Sequence, residues 1–342
     1  MTVSNSAELT DLNDRLAPGD PATHRPAAEV LDVTAVIVNW NTADLLDQCL
    51  ISLRDHRAPG HGVEVIVVDN GSTDGSVAMI EQRWPEVTVV ANADNVGFCR
   101  ANNQAIEISD KPYLLLINAD ARLTPGCLRH LVARMESDDR VGVVAPRLEY
   151  GDGRFQRWTA GRAPSLRSVA SYLFLTDRLD GRFPALAGTY LGHDTAVAFE
   201  PQWVSSACML VRRAVVDDVG PLDERIFVYM DDVELCQRAR DGGWAVWYEP
   251  AATAVHLMGQ STKRRTGVAS PEALRAFNRY FQRRHGRGRT TALRALQAGG
   301  FGLRVLAYGA TGLVLHDDGR RAQARAHLSH LKLSLETPEV AA

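Results

Sequence analysis

The sequence predicts an α/β fold, with a mostly parallel sheet flanked by helices and a helical C-terminal extension. Three observations predict it. Between residues 33 and 146, short apolar runs rich in β-branched residues alternate with segments of helical periodicity, which is typical of right-handed βαβ units. Polar residues follow the predicted strands, at the sheet edge where such folds bind ligands. Beyond about residue 270, apolar residues recur at helical spacing.

Five strands are predicted from buried apolar runs, at residues 34–40, 64–70, 87–92, 113–118 and 141–146. Helices are predicted between them, near residues 45–53, 76–84, 97–109 and from 125 onward. Thr42 is the predicted cap of the first helix. Residues 151–202 have no clear periodicity, and regular structure is expected again from Trp203 to Leu257.

The C-terminal region is predicted to be helical. Ser270 and Pro271 suit a helix cap and first helical position, and Leu274, Phe277 and Phe281 then form one apolar face. Residues 295–315 carry a single charge, Arg304, and are long enough to span a bilayer. A charge near the middle would cost about 2.5–3.5 kcal/mol on insertion. We therefore favour a helix that packs on the domain or lies on a membrane surface.

Composition and length indicate a globular protein with a substantial core. The chain has 342 residues, 45% of them hydrophobic and 23% charged, enough for two domains or for one large domain with an appendage. Its five cysteines never form a CxxC pair, so neither a disulfide framework nor a zinc site is indicated. Residues 1–32 are polar without a signal-peptide core, and we expect a flexible tail and a cytoplasmic location.

The net charge of −3 hides an uneven distribution. Residues 263–325 carry 14 Lys and Arg against three acids, a net charge of +11, and the remainder of the chain carries −14. Such asymmetry suggests that the basic segment meets an anionic partner; the alternative is a solvated helical face.

Acidic residues end two of the predicted strands. Asp69 opens the string DNGSTDG at the end of the second strand; it could accept hydrogen bonds from a base or ribose, or form an Asx turn. Asn118 and Asp120 end the fourth strand, where a carboxylate could hold a divalent cation beside a diphosphate or only cap a turn.

A third acidic group begins a predicted helix. Asp231, Asp232 and Glu234 lie within four residues, and acids in a first helical turn often only complement the helix dipole. His256 ends an apolar run, where a structural histidine is more common than a metal ligand.

In order and spacing, seven strings resemble the family 2 glycosyltransferases, particularly their bacterial rhamnosyltransferase-like branch. They are VIVNWN, VVDNGSTDG, NVGFCRANN, LLLINAD, WVSSACMLVRR, FVYMDDVELCQRARDGGW and VH. The resemblance covers about residues 33–257 and implies a GT-A fold. A catalytic domain at 33–262 would have a donor-binding half at 33–150 and an acceptor and catalytic half at 151–262. The basic helical region at 263–342 would follow it.

Position by position, the resemblance assigns roles to residues of this chain. It assigns nucleotide-sugar binding to Asn39, Asn41, Asp69, Asn95, Gly97, Asn103 and Asn118. It assigns metal binding to Asp120 and His256, the catalytic base to Asp232, and candidate acceptor-site positions to Trp203, Asp231 and Glu234. The chain departs from the family pattern at Asn118 and Asp231, which replace Asp and Glu, and at Glu234, which replaces a second Asp.

The reaction that the resemblance implies is an inverting, metal-dependent sugar transfer from a nucleotide-diphosphate donor to an acceptor hydroxyl. The donor would be dTDP- or UDP-linked, with rhamnose or another deoxysugar, and the cofactor Mg²⁺ or Mn²⁺. The acceptor would be a glycan or polyprenyl-linked glycan of cell-wall, polysaccharide or glycoconjugate biosynthesis; a small natural product is the alternative. An anionic membrane surface at the inner face of the plasma membrane is an expected partner, and nucleic acid is not.

Other classes fit the sequence less well. A processive synthase would carry a QxxRW-like motif after the base, whereas the string QRW at 156–158 is too compact and precedes Asp232. A Rossmann dehydrogenase would carry GxGxxG after the first strand. A non-catalytic sugar-nucleotide-binding protein would be expected to lose the acid at 120 or 232, and both are present.

Overall fold

An eight-stranded sheet forms the centre of the computed structural model, which describes residues 33–56, 62–179, 182–186, 188–257 and 270–336. The predicted tail at 1–32 lies outside the described residues. The strands are β1 (Val33–Asn39), β2 (Val63–Asp69), β3 (Thr88–Ala91), β4 (Tyr113–Ile117), β5 (Ala121–Leu123), β6 (Val141–Glu149), β7 (Ala160–Gly161), β8 (Trp203–Val204), β9 (Cys208–Arg212) and β10 (Ala245–His256). The sheet order is β3-β2-β1-β4-β9-β6-β10-β5, and β7 and β8 form a separate pair.

Nine α-helices of the described residues surround the sheet or follow it. They are α1 (Ala43–Asp55), α2 (Ser76–Arg83), α3 (Phe98–Ile108), α4 (Cys127–Glu136), α5 (Leu166–Leu173), α6 (Arg213–Val219), α7 (Asp231–Asp241), α8 (Pro271–Val314) and α9 (Asp318–Leu335). The five strands and four helices predicted for the first half of the chain are confirmed.

The sheet is mostly parallel, as predicted, but two strands run against the others. β1 to β4 are parallel neighbours, as are β6 and β10. β9 is antiparallel to β4 and β6 because the chain re-enters the sheet at the end where β4 finishes. There the Asn118 N–H donates to the Ala207 carbonyl at 3.0 Å. β5 is antiparallel to β10.

Alternate side chains of the buried strands pack on opposite faces of the sheet. In β1, Ala35 and Ile37 join the core beneath α1, α2 and α4, whereas Val36 joins the core beneath α3, α6 and α7. This period of two is the one expected of a strand covered on both faces. The strand ends are therefore held at fixed positions on one edge of the sheet.

The start of α1 corrects the prediction that Thr42 caps this helix. The Thr42 hydroxyl donates to Asn39 Oδ1 at 2.7 Å and accepts no hydrogen bond from α1. Instead Asp74, from the loop after β2, accepts a hydrogen bond from the Ala43 N–H at 2.8 Å. The buried Asn39 amide requires a donor, so the hydroxyl is used there rather than at the helix end.

The C-terminal helices agree with the prediction. Ser270 caps α8 by accepting the Ala273 N–H at 3.2 Å. Leu274 and Phe281 are buried, with Phe277 packed against them. Arg283 and Arg284 then join α8 to the sheet domain, through ion pairs with Asp223 and Asp241.

Residues 295–315 lie within α8 and at its end. Among the described helices, none is long and apolar enough to cross a membrane.

Gly97 allows the loop before α3 to approach the loop before α7. Its φ of +92° and ψ of 164° define a conformation that is essentially restricted to glycine. A Cβ at this position would lie 2.8 Å from Cδ2 of Phe227. The neighbouring Phe98 N–H donates to the Phe227 carbonyl at 2.7 Å. The close approach therefore connects the two loops directly.

We predict that Gly97→Ala lowers the free energy of unfolding by about 2 kcal/mol or more, because it adds both backbone strain and a clash. Chemical denaturation would measure this change. Gly75→Ala is the matched control: Gly75 has a φ of +87° but open space around the added Cβ, so we expect a loss of about 1 kcal/mol from the backbone alone. Equal losses in the two variants would show that contact with Phe227 does not require glycine.

Candidate functional site

The structure brings Asp120 and His256 together. In the antiparallel pairing of β5 with β10, Ala121 lies opposite His256, and the Asp120 carbonyl accepts the Leu257 N–H at 3.0 Å. His256 Nε2 lies 3.3 Å from Asp120 Oδ1, and the two side chains are only 13% and 9% exposed. These are the two residues that the resemblance assigns to metal binding.

Gln156 fixes the orientation of the His256 ring. Its buried amide nitrogen donates to the Glu149 carbonyl at 3.1 Å and to the His256 carbonyl. Because both amide hydrogens are used, Oε1 faces His256 Nδ1 at 3.1 Å and accepts a hydrogen bond from the Nδ1–H. Nε2 therefore faces Asp120, and the Asn118 Nδ2 lies 3.5 Å from it. In a neutral ring this nitrogen carries the lone pair that can bind a cation.

Gln156 has no predicted role, because the sequence places it only in the compact string QRW. The one local signal was a polar residue in that string. Its importance depends on contact with His256, 100 residues further along the chain.

The pair of Asp120 and His256 suits a divalent cation. Two adjacent ligands of an octahedral ion at about 2.1 Å lie about 3 Å apart, close to the separation observed. Within the ranges that the structure describes, no group of three or more His, Cys, Asp and Glu could hold a metal. These two residues would therefore hold the ion together with oxygen atoms from a bound ligand, as Mg²⁺ sites at phosphates commonly do.

Asp69 lies at the end of β2 in a hydrogen-bonded loop. Its Oδ2 accepts from Asn39 Nδ2 at 2.7 Å, and its Oδ1 accepts the Ser72 N–H at 2.8 Å. Asn39 is fully buried, and its Oδ1 is already bonded to Thr42. Asn39 therefore affects the site by positioning Asp69.

Asn41 holds the other side of the same loop. Its φ of +53° is positive, a conformation that asparagine tolerates better than most residues. The Asn41 Oδ1 accepts the Thr73 N–H at 2.8 Å, and its own N–H donates to Ser72 Oγ at 2.8 Å. The ends of β1 and β2 are thus connected across residues 69–75.

Two further asparagines stabilise the approach to α3. The Asn95 Oδ1 accepts the Gly97 N–H at 3.0 Å. Asn103 bonds to both the N–H and the carbonyl of Leu222, at 3.0 and 2.8 Å. Asn103 therefore connects α3 to the 222–224 turn, which leads toward the third acidic group.

Asp231 and Asp232 begin α7 after two strained residues. Tyr229 and Met230 have φ values of +65° and +69°, and such strain in non-glycine residues is concentrated at functional sites. The buried Asp231 accepts a hydrogen bond from Ser206 Oγ at 2.7 Å. Asp232 is half-buried, with its Oδ1 2.8 Å from the Val233 N–H.

The two carboxyl groups of Asp231 and Asp232 influence each other. Burial and the negative charge of Asp231 raise the pKa of Asp232 to about 8. Burial also raises the pKa of Asp231, against the hydrogen bond from Ser206, which lowers it. A carboxyl with a raised pKa is a stronger base once it is ionised.

The connection between β8 and β9 contacts both the acids of α7 and Asn118, which lies two residues before Asp120. Ser206 contacts Asp231, while the adjacent Ala207 carbonyl accepts the Asn118 N–H at 3.0 Å. Two successive residues thus hold both groups at one edge of the sheet.

Glu234 and Trp203, predicted as acceptor-site candidates, are engaged inside the protein. Glu234 forms a bidentate ion pair with Arg238. Trp203 is 3% exposed, and its indole N–H lies 3.1 Å from the Arg162 carbonyl. Trp203 also contacts the ring of Tyr190 edge to face, and Tyr190 packs in the same way against Trp158. The polar groups of both side chains are therefore occupied by contacts within the protein.

Comparison with protein families identifies the group to which these features correspond. The model described as "Glycosyl transferase family 2" matches residues 34–220. N-acetylglucosaminyl-diphospho-decaprenol L-rhamnosyltransferase of Mycobacterium tuberculosis is 30% identical over 258 residues, or 69% of this chain and 78% of that protein. The pre-mycofactocin glycosyltransferase of the same species is 29% identical over 231 residues, or 66% of this chain and 42% of that protein.

Two solved structures share the fold. The Pyrobaculum calidifontis mannosyltransferase PcManGT, in complex with GDP-Man and Mn²⁺, aligns with a TM-score of 0.52 at 17% identity, over 97% of this chain and 94% of that one. GalNAc-T7 with UDP, GalNAc and Mn²⁺ aligns with a TM-score of 0.54 at 15% identity, over 75% of this chain and 48% of that one. These neighbours have the GT-A fold that the sequence predicts.

Proposed function

Because this chain belongs to the family 2 glycosyltransferases, we propose that it transfers a deoxysugar, with inversion, from a dTDP-linked donor to a polyprenyl-linked acceptor. Sugar transfer from nucleotide-sugar donors follows from the family match. The observation that carries the metal-dependent mechanism proposed below is the pairing of Asp120 with His256, whose ring is oriented by Gln156.

In this proposal, Asp120 and His256 hold Mg²⁺ or Mn²⁺ at the donor diphosphate. A bound divalent cation supplies charge neutralisation as the bond to the leaving diphosphate breaks. Gln156 keeps the histidine in the tautomer that a cation requires, as outer residues of metal sites commonly do. Asn118 lies beside the pair and would contact the diphosphate or sugar through its amide.

Asp232 is the proposed catalytic base. The acceptor hydroxyl would attack the anomeric carbon from the face opposite the diphosphate, and the Asp232 carboxylate would accept its proton. A single displacement of this kind inverts the anomeric centre and requires one base. The raised pKa of Asp232 and the strained residues before it support this role.

Asp69 is proposed to bind the nucleotide base, with Asn39 holding its carboxylate in place. Asn41, Asn95, Gly97 and Asn103 would then shape the donor loops rather than each contact the ligand. Their hydrogen bonds to the loops at 69–75 and 222–224 support this division of roles.

The acceptor proposal rests on the mycobacterial relative, whose name specifies a decaprenol-linked substrate and a rhamnosyl transfer. A polyprenyl-linked acceptor is held in a bilayer, so the enzyme would work at the inner face of the plasma membrane. The basic C-terminal region would then lie near anionic lipid, where each Lys or Arg contributes about 1 kcal/mol.

Donor identity can be tested by thermal unfolding with dTDP-, UDP- and GDP-linked sugars in the presence of Mg²⁺ or Mn²⁺. We predict the largest stabilisation from dTDP-rhamnose, reaching about 2.7 kcal/mol at a concentration 100 times its Kd. A larger shift with a GDP-sugar would contradict the proposed donor. This measurement does not require knowledge of the acceptor.

The base assignment predicts that Asp232→Asn lowers kcat by about 10²–10⁴-fold while the donor still binds. The variant should remain folded, because the pKa of Asp232 is higher in the folded than in the unfolded protein. Because of this difference, the contribution of Asp232 to the free energy of unfolding decreases as pH rises from about 4 toward 8. The neutral amide should therefore unfold at neutral pH no more easily than the wild type.

Asp241→Asn, at the opposite end of α7, is a matched control that should keep a near-normal rate. Asp231→Asn extends the test to pH: it removes a negative neighbour, so the pKa of Asp232 should fall. The rising limb of the rate profile should then move to lower pH. A near-normal rate for Asp232→Asn, or an unmoved limb for Asp231→Asn, would refute the assignment.

A further inference from the structure

An exposed apolar stripe runs along the second half of α8. Its members recur every three or four residues, which places them on one side of the helix. The apolar stripe consists of Leu303, Leu306, Ala307, Ala310, Leu313 and Val314. The side chains of its three leucines and its valine are 56%, 71%, 67% and 76% exposed, in chain order. Because apolar side chains of this size are normally covered, a contiguous row of them indicates an interaction surface.

A second exposed apolar segment meets the stripe near Arg304. The Arg304 guanidinium donates to the carbonyls of Tyr172 and Leu173, at 2.9 and 2.5 Å. Phe174 and Leu175 follow these carbonyls directly and are 45% and 46% exposed. The exposed Phe174 and Leu175 therefore lie close to the place where α5 contacts α8.

The helix that carries the stripe is strongly positive. Residues 273–316 contain eight arginines and no Asp or Glu. Arg287 and Arg289 are exposed, and within the described part of the chain they form no ion pair. Arg178 and Arg182 are also exposed, beside the exposed Leu179 and Phe183. The two acids in the turn after α8, Asp317 and Asp318, pair with Arg320 and Arg321.

We infer that the apolar stripe, with Phe174 and Leu175, docks into the headgroup region of an anionic bilayer. An exposed apolar face on an arginine-rich helix is typical of helices that lie in a membrane interface. A second copy of the chain fits less well, because stripe-to-stripe contact would bring two positively charged helices together. The inference rests on the proposed polyprenyl-linked acceptor, since docking would hold the enzyme at the surface that carries a lipid-borne substrate.

Vesicle sedimentation of the full-length protein tests this inference without any sugar transfer. We expect binding to vesicles of phosphatidylcholine with phosphatidylglycerol, and weaker binding to phosphatidylcholine alone. The double variant Leu306→Gln and Leu313→Gln should lower the partition coefficient by about tenfold or more. Ile108→Gln with Val197→Gln is a matched control, because these two residues are exposed away from the stripe. It should bind like the wild type.

Three outcomes would overturn the inference: no vesicle binding by the wild type, equal binding by the stripe variant, or a dimer that only the stripe variant disrupts. Sedimentation velocity without lipid measures the last of these.

Hydrolysis of a nucleotide-sugar donor in lipid-free buffer separates this test from the proposed function. A stripe variant that hydrolyses donor normally but no longer binds vesicles supports docking, whereas a wild type that binds vesicles without using any donor would count against the proposed function alone.

Discussion

β5 is only three residues long, yet its antiparallel pairing with β10 sets His256 opposite Ala121 and so brings the imidazole to Asp120. The contacts of the His256 ring with Gln156 and Asn118 depend on this register. A shift by one residue would turn the histidine to the other face of the sheet. Gln156 supports the register from the side, because it bonds to the backbone of both β6 and β10 as well as to the ring.

The polar residues proposed to bind donor and acceptor lie along one edge of the sheet. The ends of β1, β2 and β4 supply Asn39, Asp69 and Asp120, as expected for an α/β sheet that binds ligands beyond its strand ends. The start of α7 adds Asp231 and Asp232 near the same edge, through the bond from Ser206 to Asp231. Ser206 bonds to Asp231, and Ala207 bonds to Asn118, close to Asp120. A displacement of the segment at 206–207 would therefore change the positions of both acidic groups.

Local sequence patterns predicted most of the fold, because buried strands and amphipathic helices carry their own periodicity. The resemblance also located the polar residues near the site. It could not distinguish residues that face a ligand from residues that hold others in place. The Asn39 side chain bonds to Asp69, and the Glu234 side chain bonds to Arg238, so both hold other residues in place. The role of Gln156 arises from a contact between distant segments, which no local pattern encodes.

In the proposed mechanism, Asp120 and His256 together hold a divalent cation at the donor diphosphate. Its most direct test is Mn²⁺ binding, followed by electron paramagnetic resonance with and without dTDP, in the wild type and in Asp120→Ala. We expect tighter Mn²⁺ binding when dTDP is present, and a loss of about tenfold or more in affinity in the variant. Asp232→Asn, as control, should bind Mn²⁺ normally. Unchanged Mn²⁺ affinity in Asp120→Ala would show that Asp120 is not a ligand of the cation.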